Sequence, residues 1–287
     1  MPDTLRERFA GRELGIVTRH GKELAIGPAM LAALPLAGFR ALPEFDTDQL
    51  GTFSGEVRRE VDPRTTCATK ARLGAEHSRH ELVIANEGTF GPYPPAPFVT
   101  CDEEWLVLLD RRDGLLLARR HVALTAKAHG EQCTTLEAVQ DFAARADFPT
   151  HGLILKTSQH PDTGPVLKGL HDPDQLHRAA KELLREHGSL WVANDLRAMC
   201  NPTRMQVIAD AAARFAAELA TSCPQCQAFH FAVNRTVTGL PCADCGSPTA
   251  SVRTLVRECR ICAHAVESPR QDGRQSEDPQ YCELCNP

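Results

Sequence analysis

Eight of the twelve cysteines fall in the last 65 residues, always as Cys-x-x-Cys. The pairs are Cys223 with Cys226, Cys242 with Cys245, Cys259 with Cys262 and Cys282 with Cys285. Two thiolates separated by two residues can turn back onto one ion at about 2.3 Å, and a tetrahedral zinc needs two such knuckles. Eight thiolates therefore predict two structural zinc ions. Local chemistry agrees: Pro224 stiffens the first knuckle, and Gly246 follows the second where a positive φ is useful. A disulfide framework or a thioredoxin-like motif would be the other uses of such pairs, but no βαβ pattern surrounds any of them.

The pairs are separated by 15, 13 and 19 residues. Sequential use, first with second and third with fourth, gives two zinc ribbons in tandem; alternate use gives a RING-like cross-brace. Shorter loops close at lower entropic cost, which favours the sequential pairing. Residues 221–287 then form a tandem zinc-ribbon module, joined by a helix over 201–220 to a body over 1–200. His264 lies two residues past Cys262, and with four cysteines per ion it is expected at the surface. From Thr221 to Pro287 there are six Arg, no Lys and seven Asp or Glu. That balance weighs against tracking phosphates along a nucleic acid, so a structural or protein-contact role is expected.

The other four cysteines, Cys67, Cys101, Cys133 and Cys200, are scattered and read as small buried hydrophobes. A body of about 200 residues can bury roughly 70% of its unfolded surface without staples. The net charge of −5 gives no sign of a polyanion partner. No apolar run reaches membrane-span length, and the N-terminus has no secretory h-region. These features point to a cytoplasmic protein without a membrane partner; homodimerisation is left open.

The body reads as α/β, a mixed sheet flanked by helices. Short apolar runs suited to buried strands occur at Leu14–Val17, Leu82–Ala85, Trp105–Leu109, Leu115–Ala118, Leu153–Leu155 and Leu190–Val192. Asp62-Pro63, Thr135, Asp172-Pro173 and Asn201-Pro202 each open a helix. Gly91–Pro97 reads as a proline-rich loop.

Several polar clusters look like parts of a site. Thr18-Arg19-His20-Gly21-Lys22-Glu23 follows the first strand and suits a phosphate cradle, through amides of the next helix and the Lys22 ammonium; an exposed charged turn is the plain alternative. Asp46-Thr47-Asp48 precedes Gly51-Thr52-Phe53-Ser54-Gly55-Glu56, whose carboxylates suit Mg²⁺ or an Asx-rich turn. Asn86-Glu87-Gly88 leaves the second strand where α/β proteins place functional groups. Lys70 lies on the helix before it. Arg197 and Arg204 offer cationic contacts or simply solvate the fourth helix.

Taken together, HGKE, DTD, GTFxGE, EGxFGP and a four-CxxC tail ending in YCxxCNP resemble an uncharacterised bacterial family over nearly the whole chain. Residues 12–125 also distantly resemble the inosine/xanthosine triphosphate pyrophosphatase group, through the Lys22 loop, Gly51-Thr52-Phe53, Ala68-Thr69-Lys70-Ala71 and Asn86-Glu87-Gly88. Lys22 falls four residues after Thr18 where that group has five, and His20 stands where it has Asn. This resemblance implies a nucleoside triphosphate pyrophosphatase-like hydrolase. Glu87 with Asp46, Asp48 or Glu56 would hold Mg²⁺, while His20, Lys22, Lys70, Arg197 and Arg204 would meet phosphates. The ligand class is a phosphorylated small molecule, a nucleotide first; a non-catalytic zinc-ribbon adaptor for protein or nucleic acid is the alternative.

Overall fold

A computed structural model describes residues 3–44, 61–159 and 164–287. The chain divides into two compact units: Arg12–Ala32 with Leu36–Phe215, and Met1–Gly11 with Ala33–Pro35 and Ala216–Pro287. The division falls inside the last long helix. No helix among the described residues is long and apolar enough to cross a membrane.

The larger unit is mixed α/β, with helices against its sheets. Its first sheet has five strands in the order β2-β1-β3-β4-β5. They are β1 (Glu13–Val17), β2 (Gly38–Leu42), β3 (Leu82–Tyr93), β4 (Ala96–Asp110) and β5 (Leu115–Ala123). The strands β2 and β3 both pair with β1 in parallel, and β3-β4-β5 is an antiparallel meander. Helix α2 (Glu23–Ala33) connects β1 to β2, and α3 (Pro63–Ser78) connects β2 to β3. Asp62 caps α3 by accepting from the Thr65 amide, with Pro63 in the first turn; such a cap contributes about 1 kcal/mol. Cys67, Ala71 and Ala75 of α3 pack on Val17, Val83, Ala85, Val107 and Leu109. Small residues on that helix face let it sit close to the sheet. Gly74 is required there, since a Cβ would lie 2.4 Å from Val17.

The prolines of Gly91–Pro97 do not make a long loop. β3 runs to Tyr93 and β4 starts at Ala96, leaving only Pro94 and Pro95 as the turn. The meander therefore continues past the parallel part of the sheet, whose last β1–β3 pair is Val17 with Ala85.

A second, antiparallel sheet has the order β6-β9-β7-β8, from Gly130–Cys133, Leu190–Asn194, Leu153–Lys156 and Val166–Leu170. Helices α4 (Leu136–Arg145) and α5 (Pro173–His187) cover it, with Phe142, Leu176 and Leu183 against Leu153, Leu155 and Val192. Thr135 and Asp172 cap these helices as their sequences predict, and Gly188 ends α5 at φ +73°. Helix α6 (Pro202–Ala220) follows. All four scattered cysteines are buried.

The smaller unit is a three-stranded antiparallel sheet, β10 (Val233–Thr238), β11 (Val252–Glu258) and β12 (Ala265–Pro269), with the four knuckles at its strand ends. A short N-terminal helix, α1 (Leu5–Phe9), belongs to it. The Phe229 amide donates to the Asp3 carbonyl at 2.9 Å, and Thr4 bridges Ala228. The Asp3 carboxylate pairs with Arg8 and with Arg260. Phe229, 1% exposed, meets Phe9 edge-on at 5.3 Å and lies under the guanidinium groups of Arg8 and Arg260.

Candidate functional site

The eight tail cysteines form two tetrads, and the pairing is alternate. Cys223, Cys226, Cys259 and Cys262 make one, and Cys242, Cys245, Cys282 and Cys285 the other. This corrects the sequential, tandem-ribbon expectation. The physical reason is the sheet: one strand separates each knuckle from the next, and each strand reverses the end of the sheet at which the chain stands. The knuckle before β10 meets the one after β11, and the knuckle after β10 meets the one after β12. Loop-closure entropy is a weaker constraint than three strands that must pair.

Within each tetrad all four sulfurs lie within 4.8 Å of one another. The cross-knuckle distances are 3.7 Å (Cys223–Cys262) and 3.5 Å (Cys226–Cys259), then 3.8 Å (Cys242–Cys285) and 3.6 Å (Cys245–Cys282). A tetrahedron with metal–sulfur bonds of about 2.3 Å has edges of about 3.8 Å. The tetrads fit zinc and could hold two ions. His264 is in neither; its ring stacks on Phe231 at 5.9 Å. Among the described residues no other group of His, Cys, Asp or Glu is close enough to hold a metal.

The larger unit gathers four of the other sequence-predicted residues, Lys22, Lys70, Glu87 and Arg204, into a buried charge cluster. Because β1 is flanked by β2 on one side and β3 on the other, its carboxyl end is a topological switch point, where open α/β sheets form a crevice. Lys22 closes the loop after β1. Its ammonium donates to the Asn86 carbonyl at 3.4 Å, and the residue is 7% exposed. Gly21 turns this loop at φ +71°, and the Thr18 hydroxyl oxygen accepts from the amides of His20 and Lys22. Those two amides are thus already engaged. His20 itself is half-buried.

Alternation along β3 splits the cluster between the two faces of the sheet. On the α3 face, Lys70 donates to Glu87 at 2.5 Å, with both side chains under 10% exposed. Glu87 is not in a loop leaving the strand. It sits within β3, opposite Trp105, because the hairpin to β4 keeps the backbone paired beyond Ala85. On the other face, Arg204 of α6 donates through Nε to Glu104 at 2.7 Å and through its terminal nitrogen to the Leu196 carbonyl at 2.5 Å. Asn86 Nδ2 donates to the second Glu104 oxygen at 2.8 Å. Gly88 makes room for this pair: a Cβ there would lie 2.3 Å from Arg204 and 2.6 Å from Glu104. Two buried acceptors, Asn86 Oδ1 and Asp102 Oδ1, have no hydrogen-bond partner among the described residues.

Two of the three buried cations have a carboxylate partner. Glu87 and Glu104 answer Lys70 and Arg204, whereas no carboxylate lies within ion-pair distance of Lys22 among the described residues. Burial, then the neighbouring Arg204 guanidinium, brings Lys22 down to about 8. Burial and the Glu104 carboxylate push Asp102 up to about 8, so near neutrality it is largely protonated. For Arg204, burial opposes the charge, but Glu104 outweighs it and raises the pKa.

Arg197 is held instead by Asp195, at 2.5 Å, on the loop between β9 and α6. Asp46, Asp48 and Glu56, with the GTFSGE stretch, lie outside the described residues. Sequence reading missed Glu104 and Asp102. The available signal was their spacing of two just ahead of the Leu106–Leu109 apolar run, which puts both on one face of β4.

Comparison with known proteins adds one finding. A family model described as Domain of unknown function (DUF6671) matches residues 70–287. The chain belongs to that family. The match takes in Lys70, Glu87, Glu104, Arg204 and all eight tail cysteines, and begins after the Lys22 loop. No curated protein and no solved structure matches the chain.

Proposed function

We propose that this member of the family binds a phosphorylated small molecule, of the nucleotide class, at the crevice where β1 and β3 part, while two zinc ions fix the fold of the smaller unit. The observation that carries the reading is Lys22: a buried ammonium at a switch point, which donates to a carbonyl at 3.4 Å and meets no carboxylate at ion-pair distance among the described residues. An uncompensated buried charge is costly. A phosphate oxygen there would supply the missing anion through a charge-assisted hydrogen bond in low dielectric. Lys70, oriented by Glu87, is the second cation within reach of the same strand end. Arg204 is engaged by Glu104, Leu196 and the Asn201 cap, which suits a scaffold role better than a mobile phosphate clamp.

The hydrolytic form of this reading needs Mg²⁺ held by Glu87 with Asp46, Asp48 or Glu56. Glu87 would have to loosen its Lys70 contact, so binding is the firmer half of the proposal. The test is thermal stabilisation by a panel of nucleoside triphosphates, with and without Mg²⁺, alongside phosphate release. Parent protein should be stabilised by at least one of them. Lys22→Ala should lose that response while its ligand-free melting point stays within a few degrees. A parent that responds to none, or a Lys22→Ala variant that responds like the parent, removes the reading.

A further inference from the structure

The smaller unit carries a cleft of about 540 Å³ beside the Cys242 knuckle. Its apolar walls come from Leu240, Pro241, Pro248 and Pro269. Gly239 at φ +99° and Gly246 at φ +71° border it with bare backbone in the left-handed region, so no side chain of theirs fills it.

Two guanidinium groups line the same cleft. Arg253 is exposed and makes no ion pair or hydrogen bond among the described residues. Arg274 is 57% exposed and has one carboxylate, Glu277 at 3.1 Å. Apolar walls and two cations with donors to spare together define the complement: an apolar side chain between carboxylates. Two arginines beside apolar walls make too short a cationic track for a nucleic-acid backbone, which would also leave those walls uncovered. Arg forks, by contrast, bind carboxylates two bonds at a time.

We propose that this cleft docks an acidic peptide segment of a partner protein, seating one apolar side chain between Leu240, Pro248 and Pro269 and flanking carboxylates on Arg253 and Arg274. The proposal is independent of the nucleotide reading, because it uses no residue of the larger unit.

The test is fluorescence anisotropy with the zinc-loaded full chain and a labelled Glu-Glu-Phe-Glu-Glu peptide. Gln-Gln-Phe-Gln-Gln and Glu-Glu-Gly-Glu-Glu serve as controls, with a single-stranded oligonucleotide as competitor. The acidic phenylalanine peptide should bind and both controls should bind more weakly. Arg253→Ala and Arg274→Ala, both surface changes, should each weaken binding about fivefold, the factor an exposed ion pair supports. No binding of the acidic peptide, equal binding of the glutamine peptide, unchanged affinity in both Arg variants, or displacement by the oligonucleotide at lower concentration than by unlabelled peptide would each overturn the proposal.

Discussion

If the tail cysteines are paired alternately, double substitutions sort the two connectivities without any need for a metal-bound structure. Cys223 and Cys259 share a tetrad, whereas Cys223 and Cys242 do not. A sulfur separation of 3.7 Å, divided by the edge-to-radius ratio of a tetrahedron, returns a metal–sulfur distance of about 2.3 Å, the value for zinc thiolate. Both sites are thus shaped to bind strongly, with apparent free energies of about 10–16 kcal/mol for structural zinc. A site that loses even one of its four thiolates should not survive dialysis against a competing chelator. The double variant Cys223→Ser with Cys259→Ser should retain about one zinc per chain by elemental mass spectrometry. Cys223→Ser with Cys242→Ser should retain close to none. The sequential pairing demands the opposite result: none in the first and one in the second. That outcome, or an iron–sulfur spectrum in anaerobic protein, would refute the geometry.

Gly88→Ala should lower unfolding stability in urea by about 1–3 kcal/mol, the range for overpacking, because its Cβ would strike Arg204 and Glu104 at 2.3 and 2.6 Å. Phe229→Ala should cost about 3–5 kcal/mol in the smaller unit, since the ring lies between Phe9, Arg8 and Arg260; faster zinc loss to a chelator reads this out. Nucleotide affinity should fall as pH rises through about 8, because Lys22 then loses its proton and Asp102 gains a negative charge, and both changes disfavour an anion. Calorimetric titration from pH 6.5 to 9.5 checks the sign, and an affinity that rises with pH would remove Lys22 as the receiving cation. Binding to DNA or RNA should stay weaker than micromolar at physiological salt, given a cysteine-rich module without Lys; a nanomolar anisotropy titration with a steep salt slope would contradict this.

The apolar runs at Leu14, Leu82, Trp105, Leu115, Leu153 and Leu190 became β1, β3, β4, β5, β7 and β9; in β1, β3, β4 and β7 consecutive buried residues leave a plain apolar signature, while β5 is only partly buried and β9 alternates. The strands of the cysteine-rich sheet left no such trace. β10 is exposed at Asn234, Arg235, Thr236 and Thr238, so its residues look like linker, and without those strands the knuckle order reads as sequential. Helix α2 drew no sequence signal and runs through Gly27-Pro28. Gly27 is kept because the Phe39 ring would lie 2.4 Å from any Cβ. Lys22, Lys70, Glu87 and Arg204 were legible as motif residues, but the acid that holds Arg204 was not. Glu104 meets Arg204 a hundred positions away, a contact that no local pattern encodes.

The strap of residues 3–9 across the cysteine-rich unit has a consequence for the order of events on the ribosome. Asp3 and Arg260 are 257 positions apart. At about 5–20 residues per second, some 13–50 s separate their synthesis. Throughout that interval Phe9 has no Phe229 to cover it and Asp3 no arginine from the knuckle. The larger unit, whose sequence runs from Arg12 to Phe215, can leave the exit tunnel and pack first. Residues 3–9 are then among the last to find their place, although they are made long before their partners.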